Sequence, residues 1–255
     1  PYVRGRERSR KKEDILAECR DVIAKGAREI TLLGQNVNSY GKDLGDGVDF
    51  SDLLAEIAAL DGDFLIRFMT SHPRDASEKL FDTMAKYDKI AKQLHLPFQS
   101  GNDRVLKEMN RRYTAAQYLQ LVDYGRSVMP DLVLTSDVII GFPGETEEDF
   151  ISSLEFAKKV GFEKVHVFPY SVRPGTPAAK MEQIEKSIKE KRSHIMIEET
   201  EKVRRAYLEA QIDKTVEVLL ETRHDELFTE GYTGNYTPVK VRGSHPCGRV
   251  VTAKI

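Results

Sequence analysis

The sequence has 255 residues, of which 40% are apolar and 31% are charged, and its net charge is −2. This balance excludes fibrous and disordered chains and predicts one large domain with room for a small appendage, typical of a soluble cytoplasmic enzyme. No apolar run approaches the roughly 20 residues that cross a bilayer and no secretory leader is visible, so we expect no membrane partner. The two cysteines, Cys19 and Cys247, are too few for a metal cage, and the chain predicts no metal ligands of its own.

Basic residues crowd the beginning of the chain: Arg4, Arg6, Arg8, Arg10, Lys11 and Lys12. One interpretation is a solvated charged terminus. The other is an arm that grips phosphates, because a chain with little net charge must bind nucleic acid through a local patch. We take Arg4, Arg6 and Arg8 as the RNA-binding candidates. The sequence starts at Pro1 without an initiator methionine, so we expect it to be a fragment.

Short strands alternate with amphipathic helices from this arm to about residue 170. Strands are predicted at 29–33, 64–69, 93–96, 132–140 and 163–168. Helices are predicted over 11–25 with Gly26 as the stop, after caps at Ser51 and Ser77, over 103–109 and 114–128, and from Thr146 to Gly161. This alternation predicts right-handed crossovers and a parallel sheet. Five strands are too few for a closed eight-stranded barrel, and a further strand could precede Pro1.

The pattern changes after Pro177. Residues 181–211 are highly charged and predict one or two long helices. Beyond Ile212 the apolar period falls to two, and glycines punctuate short strands. We therefore predict a core domain over 1–210 and a small all-β domain over 211–255, which could be truncated.

Polar or glycine-rich segments follow four of the predicted strands. They are Gly34-Gln35-Asn36, Ser71-His72, Gln99-Ser100 and Gly141. The carboxyl ends of parallel strands share one rim, where α/β folds place their ligands. Asp137 interrupts an apolar strand, so we expect it either to anchor a neighbour or to face a ligand. His95 and His166 are read as satisfied core histidines. No catalytic triad, P-loop or dinucleotide fingerprint is present, and we assign no catalytic residue.

Several motifs in order resemble one known family. They are Pro1-Tyr2-Val3-Arg4-Gly5, Gly34-Gln35-Asn36-Val37, Ser71-His72-Pro73, Leu96-Pro97-Phe98-Gln99-Ser100-Gly101, the run from Asp137 to Thr146, and Arg173-Pro174-Gly175-Thr176-Pro177-Ala178. Together they resemble the methylthiotransferase family of radical S-adenosylmethionine (SAM) enzymes, and the loop from Gly34 to Gly41 resembles its tRNA-modifying, MiaB-type branch. The resemblance implies an α/β fold: a partial (βα)6 barrel whose first strand lies upstream, then a small TRAM-like, OB-like RNA-binding domain.

The same resemblance implies methylthiolation of carbon 2 of an N6-isopentenyladenosine next to the anticodon of tRNA. It implies SAM and two [4Fe–4S] clusters as cofactors, and a tRNA anticodon stem-loop and an electron donor as partners. The SAM-binding residues that we expect are Gly34, Gln35, Asn36, Ser71, His72, Gln99, Ser100, Asp137, Gly141 and Val167. The family's three cluster cysteines would lie upstream of Pro1. Neither Cys19 nor Cys247 can replace them, so this chain by itself is expected to be inactive.

Two alternatives stay open. A sister branch of the family methylthiolates a ribosomal protein, but the Gln35-Asn36-Val37-Asn38 loop favours the tRNA branch. A non-catalytic RNA-binding module would need only the basic arm and the β segment, and it would have no use for the polar strand ends.

Overall fold

A computed structural model describes residues 7–69, 71–223 and 226–255. The chain divides into two compact units. Unit 1 comprises Pro1–Leu94, Tyr124–Val133 and Ile212–Ile255, and unit 2 comprises His95–Asp123 and Leu134–Gln211. Residues Ile212–Ile255 thus cluster with the beginning of the chain in unit 1.

Unit 1 begins with alternating helices and strands. They are α1 (Lys12–Ala24), β1 (Glu29–Leu32), α2 (Phe50–Ala58), β2 (Leu65–Phe68) and α3 (Glu78–Lys86). β1 and β2 pair in parallel, and Ile66 forms a further parallel bridge with Ile90. The apolar sides of the helices and strands form the core, in which Leu54, Ile57, Ile66 and Met84 are fully withdrawn from water.

The local signals set most helix ends, with one exception. Ser77 caps α3 by accepting from the Leu80 amide, as predicted. The predicted cap at Ser51 is wrong, because Asp49 caps α2 in a reciprocal box with Asp52 and Ser51 lies inside the helix. A carboxylate at that position also complements the positive end of the helix dipole.

Unit 2 holds most of a second parallel sheet. Its elements are β3 (Gln93–His95, which begins in unit 1), α4 (Asp103–Glu108), α5 (Ala115–Val128, which ends in unit 1), β4 (Val133–Ile140), α6 (Glu147–Val160), β5 (Lys164–Pro169) and α7 (Lys186–Glu209). The strand order is β3-β4-β5, with β4 and β5 parallel. Thr146 and Asp149 form the predicted capping box, and Gly161 ends α6 with a φ of 69°. The α/β class with parallel strands is therefore confirmed.

The edge position of β5 overturns one prediction. Exposed and half-buried residues alternate along this strand, and His166 is exposed. His166 is therefore not the core histidine that its apolar neighbours suggested. His95 is only partly buried, and its ring lies 6.2 Å from that of His166 between centroids.

The C-terminal part of unit 1 is an antiparallel sheet in the order β8-β7-β6-β9. Its strands are β6 (Thr215–Arg223), β7 (Phe228–Thr233), β8 (Pro238–Arg242) and β9 (Val250–Lys254). Val218, Leu220 and Val239 form its buried centre. The predicted alternation of period two follows from this one-sided burial. Among the described residues, no helix is both long and apolar enough to cross a membrane.

A buried guanidinium connects this sheet to β1 and β2 within unit 1. Arg67, 3% exposed, donates from Nε to the Glu29 carboxylate at 2.7 Å. Its two terminal nitrogens donate to the carbonyl oxygens of Thr233 at 3.0 Å and Gly234 at 3.2 Å. The same guanidinium lies 4.5 Å from the ring centroid of Tyr236, a residue with a φ of 67°. Thr233 ends β7, and Gly234 and Tyr236 lie in the β7–β8 turn, so Arg67 fixes that turn to the strand pair.

Candidate functional site

The ends of β1 and β2 carry the first group of predicted site residues. Gly34, Gln35 and Asn36 follow β1 and help to line a cavity of about 1400 Å³ in unit 1. Two buried acceptor or donor atoms here, Oδ1 of Asn36 and Oγ of Ser71, have no hydrogen-bond partner among the described residues. Buried polar atoms normally have a hydrogen-bond partner, so a ligand could supply the missing hydrogen bond to each of these two atoms.

A buried carboxylate organises the same region. The Asp75 side chain is 2% exposed and accepts from Asn36 Nδ2 at 2.6 Å, from the Arg74 guanidinium at 2.9 Å and from the Lys42 ammonium. Burial alone would raise the pKa of Asp75, but the hydrogen bonds from Arg74, Lys42 and Asn36 hold it well below its usual range. Asp75 is therefore ionised at neutral pH. Sequence reasoning missed it, since its partners lie up to 39 residues away.

His72 sits beside this carboxylate. Its Nδ1 accepts from the Arg74 amide at 3.2 Å and caps the 3₁₀ turn Pro73–Asp75. That arrangement fixes the ring in a local turn.

The described part of the basic arm is tied to the loop after β1. The Ser39 hydroxyl donates to the Glu7 carboxylate at 2.8 Å, and the Gly41 amide donates to Ser9 Oγ at 3.0 Å. Arg8 is exposed and lines the cavity. Arg4 and Arg6 lie outside the described residues. Glu7 and Ser9 thus contact the loop after β1, whereas the Arg8 side chain is exposed.

Gln99 and Ser100 lie in a tight turn of unit 2. Gln99 has a φ of 63°, yet its backbone N–H donates to Asp137 O and its carbonyl accepts from Ile139 N, at 2.9 and 3.0 Å. These two bonds to β4 stabilise an otherwise unfavourable backbone conformation. The Ser100 hydroxyl lies 3.1 Å from that of Ser153 in α6. Ser100 therefore helps to hold the turn against the helix.

Asp137 lies on the less buried face of β4, together with Thr135 and Ile139. Its carboxylate is 3.5 Å from His95 Nε2, and His95 Nδ1 lies 3.0 Å from Thr135 Oγ1. Asp137 is paired in register with His166 on β5. The mid-strand carboxylate thus has a histidine neighbour and an open face.

Gly141 ends β4 with a φ of 72° and donates to the Glu145 carboxylate at 3.0 Å. A Cβ at this position would lie 2.2 Å from Cγ of Lys189, so the stem of that α7 side chain covers the glycine. Burial raises the pKa of Glu145, and the Gly141 amide and Arg192 oppose this rise. Arg192 binds Glu145 at 2.9 Å. Val167, the remaining predicted residue, pairs with Val138 on β4.

The residues fit one predicted cofactor better than the other. The unsatisfied atoms of Asn36 and Ser71 suit a polar organic ligand such as SAM. Iron–sulfur clusters need several thiolates, whereas Cys19 is buried in α1 and Cys247 is a single exposed thiol. In the described part of the chain, no group of three histidine, cysteine or acidic side chains could hold a metal ion. These residues therefore do not form a cluster site.

Residues 1–157 match the model of the radical SAM superfamily. The whole chain is 46% identical to a tRNA-2-methylthio-N(6)-dimethylallyladenosine synthase of Acetivibrio thermocellus, of which it covers 54%. It is 47% identical over its whole length to the synthase of that name from Clostridium perfringens, with 58% of that protein covered. The Desulfitobacterium hafniense protein of that name is 50% identical over 87% of this chain and 50% of its own length. The chain thus spans about half the length of these relatives.

Among solved structures, the chain is similar to coproporphyrinogen III oxidase (HemN) from Escherichia coli, a radical SAM enzyme. The TM-score is 0.55, and the sequences are 16% identical over 76% of this chain and 47% of that one. At this identity the similarity concerns the fold alone. It agrees with the parallel strands of the two sheets that precede the C-terminal part.

Proposed function

Because this chain belongs to the radical SAM superfamily and its relatives are of the MiaB type, we propose that it is part of a tRNA methylthiotransferase. The proposed reaction places a methylthio group on carbon 2 of N6-isopentenyladenosine beside the anticodon. The observation that carries this proposal is the 46% identity to a named synthase along the entire chain. The superfamily implies SAM and iron–sulfur chemistry; we propose two [4Fe–4S] clusters and an electron donor for the whole protein.

The residues of this chain would bind and orient the cofactor. When bound, SAM supplies the radical and the methyl group that methylthiolation requires. Asn36 and Ser71 offer the buried polar atoms at the ends of β1 and β2. Gly34 and Gln35 stay predicted neighbours of the methionine end of SAM, and His72 of its methionine and ribose region. In unit 2, the predicted contacts are Gln99, Ser100, Asp137, Gly141 and Val167, and Lys189 already covers one side of Gly141.

The proposed RNA-binding parts are the basic arm and the C-terminal sheet. We infer that the sheet is a TRAM-like domain, since it is a small antiparallel structure in a relative of tRNA-modifying enzymes. The anticodon stem-loop is the proposed substrate, and the cytoplasm the proposed location. Among the residues that the structure describes, no contact favours the ribosomal-protein branch over the tRNA branch.

Mass spectrometry of product RNA tests the proposal. The full-length protein, purified without oxygen and reconstituted with iron and sulfide, is incubated with SAM, a reductant and an anticodon stem-loop containing isopentenyladenosine. We expect methylthiolated RNA and 5′-deoxyadenosine. A matched stem-loop with unmodified adenosine serves as the control substrate. RNA binding without either product would instead support a binding module, and modification of a ribosomal protein alone would support the sister branch.

Substitution of Arg8 tests the role of the arm. We expect Arg8→Ala in the full-length protein to weaken stem-loop binding and to reduce the magnitude of the salt slope by about one unit or less, because one phosphate contact is lost. Lys25→Ala is the matched control, since Lys25 is exposed and pairs with Asp21 at 2.6 Å within α1. Titrations at several salt concentrations measure both slopes. Equal slopes for Arg8→Ala and the unaltered protein would remove Arg8 from the interface.

A further inference from the structure

The buried carboxylate of Asp75 fixes the direction of the Asn36 amide. An ionised carboxylate only accepts hydrogen bonds, so the group that faces it at 2.6 Å must be the amide nitrogen of Asn36. The amide oxygen therefore points away from Asp75. That oxygen is buried and unsatisfied among the described residues, on a side chain that lines the cavity. An acceptor held in this way is suited to a donor from a ligand.

The same carboxylate also gathers two cations that keep contact with water. The Lys42 side chain is 60% exposed and that of Arg74 is 48% exposed, whereas their shared partner Asp75 is 2% exposed. Each cation thus has further donors directed away from Asp75, because an ammonium has three N–H groups and a guanidinium five. These free donors suit an anionic group.

One acceptor oxygen and two cations are the complement of a zwitterionic α-amino acid. An ammonium group has donors only, and it requires acceptors such as an amide oxygen. A carboxylate has acceptors only, and it binds arginine and lysine. A neutral adenine or ribose would leave both positive charges without an anionic partner. The chemistry of this cluster therefore matches the methionine end of SAM and not its nucleoside end.

We propose that Asp75 is a positioning residue that orients Asn36 toward the ammonium group, and two neighbouring cations toward the carboxylate, of a SAM-type ligand. This inference rests on the proposed function and deepens it. Asp75 does not touch the ligand. It acts by holding the three groups that do, and removal of its charge releases the amide and both cations together.

Two ligands that share the nucleoside test this role without any turnover. S-adenosylhomocysteine keeps the amino-acid end, and 5′-methylthioadenosine lacks it. In calorimetric titrations of the full-length, cluster-loaded protein, we expect Asp75→Asn to weaken S-adenosylhomocysteine binding by about tenfold or more, as for the loss of one good polar contact. Methylthioadenosine binding should stay within about twofold. Asp43→Asn is the control, since Asp43 follows Lys42 in the loop after β1 and accepts from the Ser9 amide.

A double-mutant cycle shows whether Asp75 acts through Asn36. We expect the variant carrying both Asn36→Ala and Asp75→Asn to lose less affinity than the product of the two single losses. The positioning role would be overturned if the two single losses of affinity multiply fully in the double variant, or if Asp75→Asn weakens the binding of both ligands equally. Unchanged affinity in Asp75→Asn would overturn it as well. If the unaltered protein binds neither ligand, the proposed function fails first and this inference with it.

Discussion

Replacement of Arg67 by methionine is expected to lower the free energy of unfolding by about 3–5 kcal/mol, the usual cost of breaking a buried ion pair. Arg67 is 3% exposed and the Glu29 side chain is 20% exposed, so water can only partly replace the guanidinium. The variant also leaves the carbonyl oxygens of Thr233 and Gly234 without their donor. Urea denaturation measures the loss, and limited proteolysis should show earlier cleavage within β6–β9.

Arg28→Met is the matched control for this prediction. Arg28 lies 2.8 Å from Asp63, but the two side chains are 40% and 84% exposed. An exposed pair contributes at most about 1 kcal/mol. Similar losses for the two variants would show that burial does not strengthen the Arg67 contacts, and unchanged proteolysis would show that Arg67 does not hold the β7–β8 turn.

Replacement of Arg192 by methionine should produce a pH-dependent loss of stability. Arg192 and Glu145 are 8% and 1% exposed in their side chains, so the variant buries an unpaired carboxylate. We expect a loss of about 3–5 kcal/mol at pH values near 8. Burial already raises the pKa of Glu145, and loss of Arg192 must raise it further. Urea denaturation between about pH 5 and pH 8 measures the change.

The direction of this pH dependence follows from the number of protons bound in the folded and unfolded protein. A carboxyl group whose pKa is higher in the folded than in the unfolded protein binds more protons when folded, so its contribution to stability falls as the pH rises. The loss of stability caused by Arg192→Met should therefore be small near pH 4.5, the ordinary pKa of a glutamate. It should grow as the pH rises toward the raised pKa of Glu145 in the folded protein. Addition of Glu145→Gln should remove most of this pH dependence. A constant penalty across the range would contradict the assignment.

Local signals predicted the secondary structure well because they depend on near neighbours. Thr146, Asp149 and Gly161 define α6 through contacts within a few residues of the chain. The predicted cap at Ser51 was wrong because Asp49 competes for the same helix end, and the sequence alone does not show which residue wins. The prediction that His166 is a core histidine was wrong for another reason. Apolar neighbours in a strand indicate burial, and only the strand order shows that β5 is an edge strand.

The candidate site was predictable only in part. The positions after strand ends predicted Asn36 and Ser71 as site residues, and each has a buried polar atom without a hydrogen-bond partner among the described residues. The charged partners escaped prediction because each contact joins distant positions: Asp75 with Asn36, and Arg192 with Glu145, which are 47 residues apart. An isolated charged residue in a sequence is ordinarily a surface residue. Nothing in the local pattern distinguishes Arg67, Asp75 or Arg192 from the other charges.

The Arg67 contacts also affect the order in which a ribosome-bound chain could fold. Arg67 and Thr233 are 166 residues apart, and unit 1 draws on three separate stretches of chain. Synthesis delivers the N-terminal stretch first, so β2 emerges with a guanidinium whose carbonyl partners do not yet exist. Unit 2 has all its residues once Gln211 is made. We therefore expect unit 2 to be protected in stalled nascent chains before unit 1, which closes last and slowly because its contacts are so distant.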